Sequence, residues 1–92
     1  MNSENTVNRD FEEDDKMNKQ RRQELDAIAT ELEGIKERLE ALRDEEQDYY
    51  DNMPESFQGG ERGERAEEAI DSMDEAVSSI EDAISSIEEA KE

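Results

Sequence analysis

From Leu25 onward the apolar side chains keep step. Leu25, Ile28, Leu32, Ile35, Leu39 and Leu42 follow one another at spacings of 3, 4, 3, 4 and 3. One face of a helix makes that stripe when it packs along a partner helix. In heptad terms Leu occupies a, and Ile, Ile and Leu occupy d. The stripe fades at Glu46 and resumes weakly at Tyr49. Met53-Pro54 then stops it, because the residue before a proline is pushed out of the α region. The pattern predicts a first helix over about 16–53.

Positions 54–63 hold the only proline and three of the four glycines and read as the turn. A second helix is predicted over about 64–91. Its stripe is Ala66, Ile70, Met73, Val77, Ile80, Ile84 and Ile87, spaced 4, 3, 4, 3, 4 and 3. The segment is also a seven-residue repeat, with Ala69-Ile70, Ala76-Val77 and Ala83-Ile84 at equivalent places.

The two stripes align if the chain folds back at position 56. Leu25 then faces Ile87, Ile35 faces Val77, Leu42 faces Ile70, and each layer joins an a to a d. The facing e positions carry Arg22 with Glu88, Lys36 with Asp74, and Arg43 with Glu67, three pairs of opposite charge. Exposed pairs contribute only about 0.2–1 kcal/mol each, so they select a register more than they stabilise it. Stripe, charge and turn agree on an all-α fold, an antiparallel two-helix coiled-coil hairpin. The other flank is smooth: Ala69, Ala76, Ala83 and Ala90 on helix two, backed by Ser72, Ser79 and Ser86, meet Ala27, Gly34 and Ala41 on helix one. Such a strip serves either close packing within the hairpin or a seam with a second hairpin. A lone hairpin has one seam to set against a large chain entropy, which tilts the reading toward a homodimer, a four-helix bundle.

Residues 1–15 read as a mobile acidic tail, and Lys16, Lys19, Arg21 and Arg22 as a basic island after it.

Composition changes the picture in one respect. Of 92 residues, 30 are Asp or Glu and 11 are Lys or Arg, a net charge of −19, and only 30% are apolar. Taken without its pattern, that mix predicts disorder. There is no Cys and no His, which removes disulfides, thiol chemistry and the commonest general base and metal ligand. No apolar run is long enough for a membrane span, and the expectation is a soluble cytoplasmic protein without cofactor. The carboxylates sit at b, e and f, where water reaches them and nothing separates their pKa values for catalysis. No calcium-loop motif occurs, and Gly59-Gly60 with Gly63 lacks the strand and the Lys-Ser/Thr of a phosphate loop. The chain reads as a non-enzyme.

The charge itself remains. Nineteen net negatives on a rod of about 50 Å give roughly 0.4 per Å, against about 0.6 for duplex DNA. Direct nucleic-acid binding is therefore disfavoured, and a basic surface that ordinarily holds nucleic acid becomes the natural partner. Asp44, Glu45, Glu46, Asp48 and Asp51 gather near the end of helix one, where they oppose the helix dipole. Tyr49, Tyr50, Met53 and Phe57 crowd the same end, either as a small apolar cap on the turn or as an anchor for a partner. The candidate binding residues are thus Asp44, Glu45, Glu46, Asp48, Tyr49, Tyr50, Asp51 and Phe57.

The stretch from Asp44 through Tyr49-Tyr50, Met53-Pro54 and Gly59-Gly60 to Ala69-Ile70-Asp71, followed by the Ala-Ile heptads, resembles small acidic coiled-coil proteins of phages, prophages and mobile elements. The resemblance covers about residues 25–92. Small acidic phage proteins include inhibitors of host defence nucleases, anti-CRISPR proteins among them. The resemblance implies that setting: an inhibitor or nucleic-acid mimic acting on a basic host protein in the host cytoplasm. The alternative is a structural coiled-coil module whose charge only keeps it in solution.

A surplus of negative charge repels itself, and salt screens it. Raising salt from about 0.02 to about 0.5 M should raise the melting temperature. A steady fall in a thermal melt would show instead that the opposite-charge pairs outweigh the surplus.

Overall fold

The computed structural model describes residues 18–92, so the acidic tail over 1–15 and Lys16 lie outside the described residues. The chain is all-helical: α1 (Lys19–Asp51), α2 (Glu55–Gln58) and α3 (Glu61–Lys91). Asn18 starts α1, its side-chain oxygen accepting from the backbone N–H groups of Gln20 at 2.8 Å and Arg21 at 3.3 Å. That cap sets the start three residues after the predicted 16. At the other end the Asn52 N–H donates to the Asp48 carbonyl at 3.0 Å, the Met53 N–H donates to Tyr50 at 3.1 Å, and Pro54 forbids another turn.

The connector differs from expectation. Within 54–63 the chain makes a single helical turn, α2, whose Phe57 and Gln58 N–H groups donate to the Pro54 carbonyl. The second long helix begins at Glu61, not at 64. Glu61 and Glu64 sit in its first turn, where negative charge suits the helix dipole. α2 lies against the start of α3, and Gly63 marks the closest point. A Cβ on Gly63 would overlap the Gln58 carbonyl group and come within 2.7 Å of its Cα. The Gln58 side chain ties the connector back to α1, donating to the Tyr50 carbonyl at 3.0 Å.

The long helices α1 and α3 pack against each other, antiparallel. Three ion pairs span the seam: Asp26 with Lys91, Lys36 with Glu81 at 3.7 Å, and Arg43 with Asp74 at 2.9 Å. Each pair of residue numbers sums to 117. The facing pairs expected from sequence, Lys36 with Asp74 and Arg43 with Glu67, give way to partners one heptad further along α3, and the apolar layers, expected to sum to 112, sum to 116, so the register is corrected by four residues, about one helical turn. The connector gives the reason. With α2 spent on covering Gly63, the first turn of α3 lies beyond the end of α1, and every layer shifts accordingly.

Helix one is also turned about its axis. α3 uses the predicted stripe, extended by Gly63 and Lys91, and it supplies the buried residues Gly63, Ala66, Ile70 and Val77. α1 turns inward Leu25, Ala29, Leu32, Lys36, Leu39, Arg43, Glu46 and Tyr50, with Met53 following, all buried or half-buried. Taken in reverse order, these match the inward positions of α3 one for one, from Met53 with Gly63 to Leu25 with Lys91. The predicted d residues are left outside. Ile28, Ile35 and Leu42, with Tyr49 one heptad further on, are 45–55% exposed. The aliphatic stems of Lys36 and Arg43 take the inner places and their charged ends reach the rim. Leaving half of an Ile or Leu side chain in water forgoes about 1 kcal/mol apiece, so the pair by itself has a thin core.

Two glycine substitutions separate the tight contact from open helix. Gly63→Ala should cost about 1–3 kcal/mol, because α2 must move off the helix. Gly34→Ala, with nothing within 4 Å of the added Cβ, should stabilise by about 0.5–1 kcal/mol through helix propensity. Chemical denaturation of both variants checks the pair, and equal effects would contradict the connector packing described.

Candidate functional site

The eight candidate residues occupy the end of α1 and the connector, but they do not share one surface. Tyr49 and Tyr50 are adjacent on a helix and so diverge by about 100°. Tyr50 turns inward and is half-buried at the level of Ala66, the most enclosed apolar residue, while Tyr49 points out. Glu46 occupies an inward position and is half-buried. Asp44, Glu45, Asp48 and Asp51 are exposed. Two of these carboxylates are engaged locally: Asp44 accepts from the Arg43 guanidinium at 3.1 Å, and Asp51 accepts from the Gln47 side chain at 3.0 Å. Asp48 contributes its backbone carbonyl to Asn52.

Phe57 is exposed, and the Arg62 guanidinium lies 5.7 Å above its ring. Tyr49, Asn52, Met53, Pro54, Phe57 and Arg62 line a cleft of about 400 Å³. A second groove of about 390 Å³ runs beside it between α1 and α3, bounded by Glu46, Tyr49, Arg62, Arg65, Ala66 and Ala69. The two share Tyr49 and Arg62. The aromatics are therefore divided: Tyr50 covers the turn from inside, and Tyr49 and Phe57 face outward. Sequence reasoning missed Arg62 and Arg65. Their signal was legible, since they are the only basic residues between Arg43 and Lys91. Arg65 also pairs with Glu61 one turn back, at 2.5 Å.

The displaced pKa values lie elsewhere, along the charged flank of the seam. Desolvation pulls the Lys36 amine down, but Glu33, Glu40 and Glu81 together outweigh it and hold the amine above its ordinary value. Hydrogen bonds to Asp26 and then Glu88 raise Lys91. Arg43 is raised by its hydrogen bonds to Asp74 and Asp44. All three are structural cations that bridge the helices or brace one end. Among the described residues no group of three or more acidic side chains is placed to hold a metal ion, and no helix is long and apolar enough to cross a membrane. The clefts offer a phenol, an amide, a thioether, a phenyl ring and guanidinium groups, which are binding chemistry.

No protein-family model matches this chain, and no curated protein or solved structure is similar enough to match.

The lysine shifts set a pH window. A cation whose folded pKa is raised contributes stability in full below its unfolded value, here 10.5, and loses it as pH rises through the folded value. The contribution of these two lysines to the melting temperature should therefore be constant from about pH 6 to 9 and decline above 10.5. Lys36→Gln with Lys91→Gln should melt lower than the parent at neutral pH, and the two curves should draw together as pH rises past 10.5 and through the raised lysine values. A constant gap across the whole range would show that the lysines act by packing and not by charge.

Proposed function

We propose that this chain is a non-enzymatic acidic binding protein, a coiled-coil hairpin that occupies the basic, nucleic-acid-binding surface of a host defence protein in the manner of a phage-type inhibitor. The observation that carries the reading is a rigid helical scaffold holding a dense negative charge. Residues 18–92 contain 24 Asp and Glu against nine Lys and Arg, net −15. Spread over a helical pair of about 55 Å, that is about 0.27 per Å, a little under half the density of duplex DNA. The exposed carboxylates Asp44, Glu45, Asp48 and Asp51 project from the turn-proximal end of α1, beside the outward Tyr49 and Phe57. Carboxylates there take the place of phosphates, and the aromatic pair supplies apolar contact. Glu46 and Tyr50, both half-buried, support that end from within.

A second reading, a structural association module, is favoured by a different observation: the row of half-exposed apolar residues along α1. The two readings predict different responses to salt and to charge. An immobilised chain should retain DNA-binding proteins at low salt, release them near 0.5 M, where screening cuts the field within about 4 Å, and compete with duplex DNA for them. Changing Asp44, Asp48 and Asp51 to Asn and Glu45 to Gln should weaken that retention about tenfold or more, while neutralising four carboxylates near Glu89 should do less. Retention of nothing, or of partners indifferent to salt and to DNA, would overturn the inhibitor reading and leave the module.

A further inference from the structure

The register correction creates a face. On α1, Ile28, Ile35, Leu42 and Tyr49 recur every seven residues and form one stripe on one side of the helix; each is about half exposed. The ion pairs of Lys36, Arg43 and Lys91 occupy the opposite flank of the seam. On the stripe's own side, the groove bounded by Tyr49 and Ala69 shows that the alanine strip of α3 is its neighbour. That strip, with the serines behind it, runs through seven heptad-related positions from Ala69 to Ala90 without a charge, in a chain where 45% of residues are charged. Solvation alone would not spare it.

The two halves of the face are matched in height. In the register near 117, Ile28 stands level with Ala90, Ile35 with Ala83, Leu42 with Ala76 and Tyr49 with Ala69. Four large side chains thus stand beside four small ones, rung by rung. A twofold axis along the rod puts the large stripe of one copy over the small strip of another, at the same levels and on both sides at once. That self-complementarity is what an isologous interface requires. Every neighbouring helix in the resulting bundle is antiparallel, as in ordinary four-helix bundles. The face measures about 50 Å by roughly 18 Å, or about 900 Å² per copy, against the ~800 Å² per partner of a standard interface. Arg38 lies on the border of the same face and makes no ion pair among the described residues. In the paired arrangement it comes level with the outer carboxylates of the other copy's α3, Glu75 and Asp82.

We propose that this face is the interface between two copies of the chain, with each stripe of Ile28, Ile35, Leu42 and Tyr49 seated on the other copy's alanine strip. The interface does not need the inhibitor reading; where both hold, Tyr49 is taken by the other copy, Phe57 remains the outward apolar contact, and the pairing bears on that reading through charge. Two copies side by side double the line density to about 0.55 per Å, close to the ~0.6 of duplex DNA, on a body about 20 Å across.

Sedimentation equilibrium of the full chain tests this, at about 0.15 and about 0.5 M salt, since screening should strengthen a contact between two acidic rods. The parent should weigh near twice its 10.6 kDa. Ile35→Gln with Leu42→Gln alters residues that are half exposed in one copy, and it should raise the dimer dissociation constant about a hundredfold or more. Ala83→Leu adds apolar surface, yet it should weaken the dimer too, because it fills the place of the incoming Ile35. Circular dichroism confirms that each variant stays helical; if the Gln variant unfolds, the helix-favouring Ala83→Leu decides. A parent that remains monomeric at about 1 mM and 0.5 M salt would overturn the proposal. So would a dimer indifferent to the substitutions, an assembly larger than two, or stronger association of Ala83→Leu, which would mark the face as merely adhesive.

Discussion

The seam between the two long helices is the constraint on which the remainder depends. With few apolar residues and a large charge surplus, a single copy of the chain holds one line of close contact, in which small residues sit among larger ones. Ala29, Gly63 and Ala66 let the backbones approach, and Ile70 and Val77 fill the space between. Close approach on this line leaves Lys36 and Arg43 at inner positions, which is tolerable because each reaches a carboxylate across the seam. Exposed ion pairs are weak contributors to stability. Their value here is directional: in a molecule dominated by negative charge, few positive groups exist, and placing them at the seam discriminates one register from its neighbours one heptad away.

Much of this was legible in the sequence, and the misreading has a definite cause. The stripe on α3 was read correctly because its apolar positions admit a single choice. On α1 two stripes overlap. Leu25, Leu32 and Leu39 belong to both, and the alternating place is filled either by Ile28, Ile35 and Leu42 or by Ala29, Lys36 and Arg43. Hydrophobicity selects the first set, whereas packing on a partner with small residues, together with charge pairing, selects the second. The shift of register has a local origin in the connector. Gly63 looked like turn chemistry, but it is a helical residue made small so that Gln58 can lie against it. A connector that folds into a helical turn changes where the partner helix begins, and hydrophobic spacing carries no record of that.

The candidate site was legible in composition and not in orientation. The acidic cluster and the aromatic residues do lie at one end, but adjacency along a helix separates Tyr49 from Tyr50, and Glu46 turns inward. Arg62 and Arg65 give that end a mixed character. Under the proposed function, two arginines beside the outward aromatic residues would let the acidic chain bind a basic surface and still fix its orientation through a local carboxylate on the partner. That is how charge complementarity confers specificity as well as rate.

The fold rests on the rotated register of α1, and paired cysteines measure it directly. In the observed register Leu39 stands level with Val77; in the register that hydrophobic spacing alone suggests, it faces Met73. Leu39→Cys with Val77→Cys should form an intramolecular disulfide readily under mild oxidation, and Leu39→Cys with Met73→Cys should form it far more slowly, since a disulfide needs Cα atoms within about 7 Å. Preferential closure of the second pair would restore the symmetric apolar seam, return Ile28, Ile35 and Leu42 to the interior, and contradict the account.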